Sequence, residues 1–236
     1  MHNMNKTLPK TGIPWADRQW PILRGCSPAS AGCQHTDPAT GRVIRCYAGE
    51  WFRRFEKHMN LPPWGKPHFL PENIDMPMRT KTPCRVFVAP MSDIGHEGVA
   101  PFWRFAIAQA MHAAPWHTYI ILTKRPGPWL RELPPACWVG ATIEHQHEML
   151  RWNTLLGWCW PGAPVQFVSV EPMLGPVTFS LFPDWVIAGP ETGPKARPCD
   201  PEWIEALSRE SPCFFDKRAG DGRRREWPTK QRKEVR

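Results

Sequence analysis

RVFVAPMSDIGHEGVAPFWRFAIAQAMHAAPWHTYIILTKRP, residues 85–126, decides the fold class of this chain. The stretch opens with an apolar run, Arg85–Pro90, and nearly closes with another, Thr118–Thr123. Between them Trp103, Ala106, Ile107, Ala110, Met111 and Ala114 recur in steps of three and four, one face of a helix. Strand, helix, strand, with both strands apolar along their length, predicts a parallel pair covered by a helix. Moving outward, Trp138–Ile143, Val165–Val170, Trp185–Ala188 and Cys213–Phe215 continue the series. A second helix is predicted from Asp200 as N-cap and Pro201 in the first turn, presenting Ile204 and Leu207. On the amino-terminal side a further short strand falls around Trp20–Leu23, and the proline-rich residues 60–83 read as an irregular connection. The expected fold is α/β, a partial (β/α)6-type or TIM-like parallel barrel with an N-terminal cysteine loop. A Rossmann-type open sheet is the alternative, but no glycine fingerprint follows a first strand. Residues 1–216 are expected to form one domain and 217–236 a basic tail.

A chain of 236 residues suits a single barrel-sized domain. With 29 prolines, its loops are expected to be stiff and its long helices few. No apolar run reaches signal-peptide or membrane-span length, so a cytoplasmic, non-membrane protein is expected. Eight cysteines are too sparse for a disulfide scaffold in a chain this long. The net charge of +8 is concentrated in residues 217–236, which carry nine Lys/Arg against three Asp/Glu. Such a tail fits a polyanion, with Arg223, Arg224, Arg225, Lys230, Arg232 and Lys233 as candidate phosphate contacts. The same composition also describes a solvated terminus. Among the 14 tryptophans, Trp64 and Trp129 are candidates for stacking on bases.

Cys26, Cys33 and Cys46 lie in a Gly/Pro/Ser-rich stretch with spacing C-x6-C-x12-C. Tyr47 follows, and Trp51, Phe52, Phe55 and Met59 then share a helix face. Three neighbouring thiolates can hold an iron–sulfur cluster while leaving one iron open. With His35 as a fourth ligand, the same cysteines would instead make a zinc site. The strand ends carry polar groups in succession. Ser92 and Asp93 follow the first run, Thr123, Lys124 and Arg125 the second, and Glu144 the third. Ser169 and Glu171 end the fourth, and Gly189 and Glu191 follow the fifth. A parallel barrel gathers these ends on one face, where such folds place their active sites. Capping of helices and pairing with one another are the competing uses. Cys84, Cys137, Cys159, Cys199 and Cys213 lack cluster spacing and read as core or surface thiols, and His96 reads as a loop histidine or a proton donor.

Several of these segments, in order, resemble a group of phage and bacterial proteins with a three-cysteine motif, grouped as radical-SAM-like. The matching stretches are Gly25–Cys26 through Cys33 to Cys46–Tyr47–Ala48, VFVAPMSDIGHEGV (86–99) and ILTKRP (121–126). WVGATIE (138–144), FVSVEPMLGP (167–176), WVIAGPETGPKARP (185–198) and PCFFDK (212–217) complete the series. The chain departs from the family pattern in the insertion QHTDPATGRVIR (34–45) between the second and third cysteines, in GPETG, and in the aspartate of PCFFDK. The resemblance implies a [4Fe-4S] cluster on Cys26, Cys33 and Cys46, S-adenosyl-L-methionine as cosubstrate and an external electron donor. It implies that Ser92 and Asp93 meet the methionine ammonium, with Glu144 and Glu171 on that group or the ribose. Thr123, Lys124 and Arg125 would meet the carboxylate or a substrate phosphate, while Gly189 and Glu191 would approach the adenine. Ser169 is counted with the same binding set. The implied activity is modification of a nucleobase in phage DNA by a monomeric enzyme, specifically an isomerase moving a glycyl group on thymine from nitrogen to carbon. A radical-SAM enzyme acting on free nucleotides or tRNA, and a zinc-stabilised nucleic-acid-binding protein without catalysis, are the other classes.

Overall fold

A computed structural model describes residues 6–59 and 64–229. The chain enters through three-residue strand β1 (Arg18–Trp20), then β2 (Leu23–Arg24) and the hairpin strands β3 (Gln34–Thr36) and β4 (Val43–Arg45). Helix α1 (Tyr47–Met59), strand β5 (His68–Phe69) and the short α2 (Met76–Arg79) follow. Strand and helix then alternate: β6 (Arg85–Val88), α3 (Pro101–Ala113), β7 (Thr118–Thr123), β8 (Trp138–Thr142), α4 (Leu150–Trp158), β9 (Val165–Val170), β10 (Trp185–Ala188), α5 (Pro201–Glu210) and β11 (Phe214–Asp216).

Seven of these strands form one all-parallel sheet in the order β1-β6-β7-β8-β9-β10-β11. The sheet is a half-barrel and does not close, since β1 and β11 each have a single strand neighbour in it. Of the two expected forms, the partial barrel is the one observed. Its edges are covered by antiparallel bridges instead: Lys10 on Arg18 at one side and Arg225 on Phe215 at the other. The expected strand around Trp20–Leu23 is split between β1 and β2, which belong to different sheets. Pro21 lies at the break and has no N–H to continue a ladder.

Side chains alternate strictly across the sheet. Val86, Val88, Tyr119, Ile121, Val139, Ala141, Val168, Val170, Val186 and Ala188 point outward into one core shared with the helices. Ile107 and Met111 of α3, Trp152 and Leu155 of α4, and Ile204 and Leu207 of α5 complete that layer. Asp200 caps α5 as expected, its side chain accepting from the Glu202 amide at 2.9 Å.

The concave face holds a second core of Phe87, Ile120, Trp138, Val165, Phe167, Trp185, Ile187 and Phe215, joined by Trp15. Gly140 faces Phe167, whose ring occupies the space a Cβ would need, with contacts as short as 2.5 Å. These aromatics fill the amino-terminal half of the concavity and leave its carboxyl end open.

Residues 217–229 of the expected tail return along β11. The Glu226 amide donates to the Phe214 carbonyl at 2.9 Å and the Trp227 indole to the Trp15 carbonyl at 3.2 Å. Trp227 packs on Phe215, and the Arg85 guanidinium stands over the Trp227 ring, 4.6 Å from its centroid. This segment therefore seals the seam between the two sheet edges at the amino-terminal end of the strands. Among the described residues no helix is long and apolar enough to cross a membrane.

Candidate active site

A cavity of about 1230 Å³ opens at the carboxyl ends of the strands. Cys26, Cys33 and Cys46 all line it, each half-buried and reduced. Cys33 lies close enough to both other thiols to raise their pKa values electrostatically. Burial is the larger cause in both cases, and it carries Cys26 to about 12. Arg125 opposes this at Cys26, its Nη1 standing 3.8 Å from the sulfur. Cys46 sits just ahead of α1, where the Ala48 and Gly49 amides and the Lys124 charge oppose the rise.

The polar rim residues are bound to one another and to the cysteine loop. Asp93 accepts from the Thr123 hydroxyl (2.6 Å), the Gly95 amide (2.9 Å), the Lys124 amide (3.0 Å) and Arg125 Nη1 (3.3 Å). Arg125 then reaches across to the Ser27 carbonyl at 2.8 Å and the Ser27 hydroxyl at 3.1 Å. Ser92 donates to the Gly25 carbonyl at 2.6 Å. His96 contacts the Ser27 hydroxyl through Nε2 at 2.8 Å while Nδ1 accepts from the Gly98 amide. That pattern fixes a neutral ring, and burial together with Arg125 lowers its pKa.

Glu144 is the deepest of these groups. Only 1 % exposed, it accepts from Ser30 Oγ at 2.6 Å and from Arg151 Nη1 at 2.8 Å, and it pairs with Lys124. Burial alone would raise its carboxyl; the hydrogen bond from Glu148 and the Lys124 ammonium outweigh that and hold it at about 2. Glu148 is pushed the other way, to about 7, by burial and by its bond to the Glu144 charge.

The expected site residues therefore divide by position. Ser92, Asp93, Thr123, Lys124, Arg125, Ser169, Glu171 and Glu191 line the cavity with the cysteines. Glu144 lies behind Lys124, and Gly189 lies behind Lys217, whose Cβ would be 2.9 Å from a Cβ at that position. Glu171 gives one oxygen to Lys217, and Glu191 is held bidentately by Arg197 at 2.7 and 2.8 Å. Pairing of the strand-end residues with one another, the competing use, is thus realised at Asp93 and Glu144, while Glu171 and Glu191 pair with Lys217 and Arg197 from outside that set. Ser92, Asp93 and Thr123 position the cysteine loop and its clamp, and their hydrogen bonds are already committed there.

One expectation is corrected, and two others meet additional partners in the structure. Trp129 is buried, with its indole donating to the Arg125 carbonyl at 2.8 Å, so it supports the rim and cannot stack on a base. Arg223 pairs with Glu205, Arg224 donates to Glu226 and to the Ser208, Ser211 and Pro212 carbonyls, and Arg225 donates to the Asp216 and Arg218 carbonyls. These arginines fasten the return segment to α5 and β11. Lys230, Arg232 and Lys233 lie outside the described residues. His35 does not join the cysteines: its Nδ1 is 3.7 Å from Glu191. Among the described residues no three His, Cys, Asp or Glu side chains converge on a single ion position, as a zinc site would require.

The family model described as "Protein of unknown function (DUF5131)" matches residues 10–233. The chain belongs to the DUF5131 family. No curated protein and no solved structure matches it. The matched span of this DUF5131 protein runs from before β1 to beyond β11 and includes all three cysteines and every rim residue.

Ser30, Arg151, Lys217 and Arg197 are essential to the rim of this DUF5131 protein and carried no spacing signal in the sequence. Gly32 belongs with them, because a Cβ there would lie 2.7 Å from Glu144 Cγ and overlap the pinned carboxylate. Gly32→Ala is expected to lift the cysteine loop and destabilise the fold by about 1–3 kcal/mol. Thermal unfolding and the reaction rate of the thiols with a chromogenic disulfide would register it. An unchanged melting temperature with unchanged thiol reactivity would mean the loop is not seated on Glu144.

Proposed function

We propose that this protein is a radical S-adenosylmethionine enzyme acting on a nucleobase in DNA, with the rearrangement of a glycyl-modified thymine as its reaction. The observation that carries this reading is the meeting of Cys26, Cys33 and Cys46 on one cavity at the carboxyl end of a parallel half-barrel. Its volume exceeds the usual ~300–1,000 Å³ of a small-molecule pocket, which leaves room for a cluster, a cosubstrate and a base together. Bound there, a cluster with S-adenosylmethionine would supply one-electron radical chemistry for hydrogen-atom abstraction from the substrate. The protein's own residues hold and shield that chemistry. Cys26, Cys33 and Cys46 would carry the metal, with Arg125 beside Cys26 and Lys124 near Cys46 favouring the thiolates. Ser169, the Glu171–Lys217 pair and Glu191 line the same space and would orient a polar cosubstrate. Tyr47 fixes its ring at the mouth by donating its hydroxyl to the Pro90 carbonyl.

Iron, sulfide and zinc in anaerobically purified protein test this reading. About four irons and four sulfides per chain are expected, lost in each of Cys26→Ala, Cys33→Ala and Cys46→Ala. Cleavage of S-adenosylmethionine on addition of a chemical reductant should then depend on the same three residues. Zinc without sulfide would overturn it.

A further inference from the structure

The stretch that interrupts the cysteine spacing is not a passive insertion. Residues 34–45 form the β3–β4 hairpin, turned around Asp37, which accepts from the Ala39 amide at 3.1 Å and the Thr40 hydroxyl at 2.6 Å. The hairpin crosses to the loop after β10 through His35–Glu191 (3.7 Å) and Asp37–Lys195 (3.5 Å). With α1, which begins two residues after it, the hairpin builds a wall of the cavity.

That wall has an unusual composition. Of the described side chains in the apolar stripe on α1, Phe52 is fully buried, whereas Trp51 and Phe55 are not. Trp51 and Phe55, 5.2 Å apart, are half-buried and line the cavity, as does Trp64, which lies 4.8 Å from Phe52. Arginines alternate with these rings. Arg42, Arg45, Arg53 and Arg54 line the same cavity, and Arg24 and Arg54 stand over Trp51 and Phe55 at 5.6 Å. The acid available is insufficient to neutralise them. Glu50 is shared by Arg53 at 2.8 Å and Arg42 at 3.7 Å, and Arg45 and Arg54 form no ion pair among the described residues.

We propose that the β3–β4 hairpin and α1 form the nucleic-acid-binding wall of this site, with Arg45, Arg53 and Arg54 on phosphates and Trp51, Phe55 or Trp64 stacked on an unpaired base. Guanidiniums that follow a backbone, interleaved with aromatic faces, are the pattern of single-strand recognition. The rings line a concavity and do not project from the surface, which favours a base over an anionic membrane. The basic return segment cannot substitute up to residue 229, since its arginines are engaged and it runs to the opposite end of the strands. The strand would reach the cavity single-stranded or with its target nucleotide flipped out. This inference rests on the reading of the cavity as a nucleobase site, but DNA binding can be read without any turnover.

Fluorescence anisotropy of a labelled single-stranded DNA oligonucleotide, titrated over a series of salt concentrations, tests it. Arg45→Ala/Arg54→Ala is expected to weaken binding at least tenfold at about 0.1 M salt and to reduce the log–log salt slope by about 1.4, two phosphate contacts at ~0.7 each. Trp51→Ala should lose about tenfold at every salt concentration with the slope unchanged. Arg223→Ala should bind as wild type. Arg45→Gln/Arg54→Gln provides a second pair should the alanine variant melt early. Wild-type affinity and slope in either folded arginine pair would overturn the proposal, as would a larger loss in Arg223→Ala. Arginine-dependent binding to phosphatidylserine vesicles without DNA binding would overturn it in favour of a membrane surface. Iron content of the same preparations keeps the two readings apart. Normal iron with arginine-independent DNA binding removes the wall and leaves the radical enzyme; absent iron with arginine-dependent binding does the reverse.

Discussion

Replacing Glu144 by alanine is expected to lower the melting temperature by about 6–12 °C and to release the cysteine loop. The carboxylate is buried and holds three donors that have no other common acceptor: Ser30 from the loop, Lys124 after β7 and Arg151 on α4. Removing one partner of a buried ion pair costs about 3–5 kcal/mol, because the remaining charge keeps its desolvation without its compensation. Here the lower figure applies, since Lys124 and Arg151 are 19 % and 15 % exposed and can turn toward water. About 3 kcal/mol in a chain of this size gives the stated shift. Glu144→Gln keeps the shape and a Ser30 contact and should lose roughly half as much. The pH dependence has a definite sign. Glu144 is held below the ordinary carboxylate value of 4.5, so the stabilisation it contributes is lost as pH falls below about 4.5. Melting curves of wild type should therefore fall in that window, and those of Glu144→Gln should be flatter there. A Glu144→Ala protein that melts within about 2 °C of wild type would show that the clamp is held by other contacts.

The clamp also explains what could and could not be read beforehand. Parallel strands buried on both sides announce themselves as apolar runs, and all six runs from Arg85 to Phe215 became strands of the sheet. Helix α3 was legible because Ile107, Ala110 and Met111 are spaced to meet that sheet. Helix α4 was not, for it buries only Trp152 and Leu155 in nine residues, too few to set a period. The stripe on α1 was visible, but sequence cannot say that Phe52 enters the core while Trp51 and Phe55 face a cavity. Polar residues at strand ends were likewise recognisable as a set. Their division into clamp and cavity lining depends on partners such as Arg151 and Lys217, which are distant in sequence and follow no local pattern. The tail shows the same dependence on distant partners. Charge counting sees nine cations in residues 217–236, whereas three consecutive arginines among them are consumed by carbonyls and carboxylates of α5 and β11.

Trp185→Ala should be the most destabilising single substitution, lowering the melting temperature by about 10–20 °C. Trp185 opens β10 with no exposure, and its ring lies 5.5–6.4 Å from those of Phe167, Trp138, Phe215 and Trp15. Truncating a buried tryptophan costs about 3–5 kcal/mol through lost transfer energy and the cavity left behind. Each edge-on aromatic contact adds to that. The indole also donates to the Glu226 carbonyl at 2.9 Å, so the same change loosens the return segment that seals the seam. These effects point to about 5 kcal/mol, a large share of what a domain has in reserve. A half-barrel lacks the closed ring of hydrogen bonds that stiffens a full one, so the aromatic plug must hold β6 to β11 in their curvature from inside. Trp185→Phe, which retains most of the ring contacts, should recover over half of the loss. The plug and the cysteine loop occupy opposite ends of the concavity, so whatever Trp185→Phe protein is folded should keep wild-type thiol reactivity. A shift below about 4 °C for Trp185→Ala would mean that curvature is set from the helical side, and α3, α4 and α5 would become the elements to cut next.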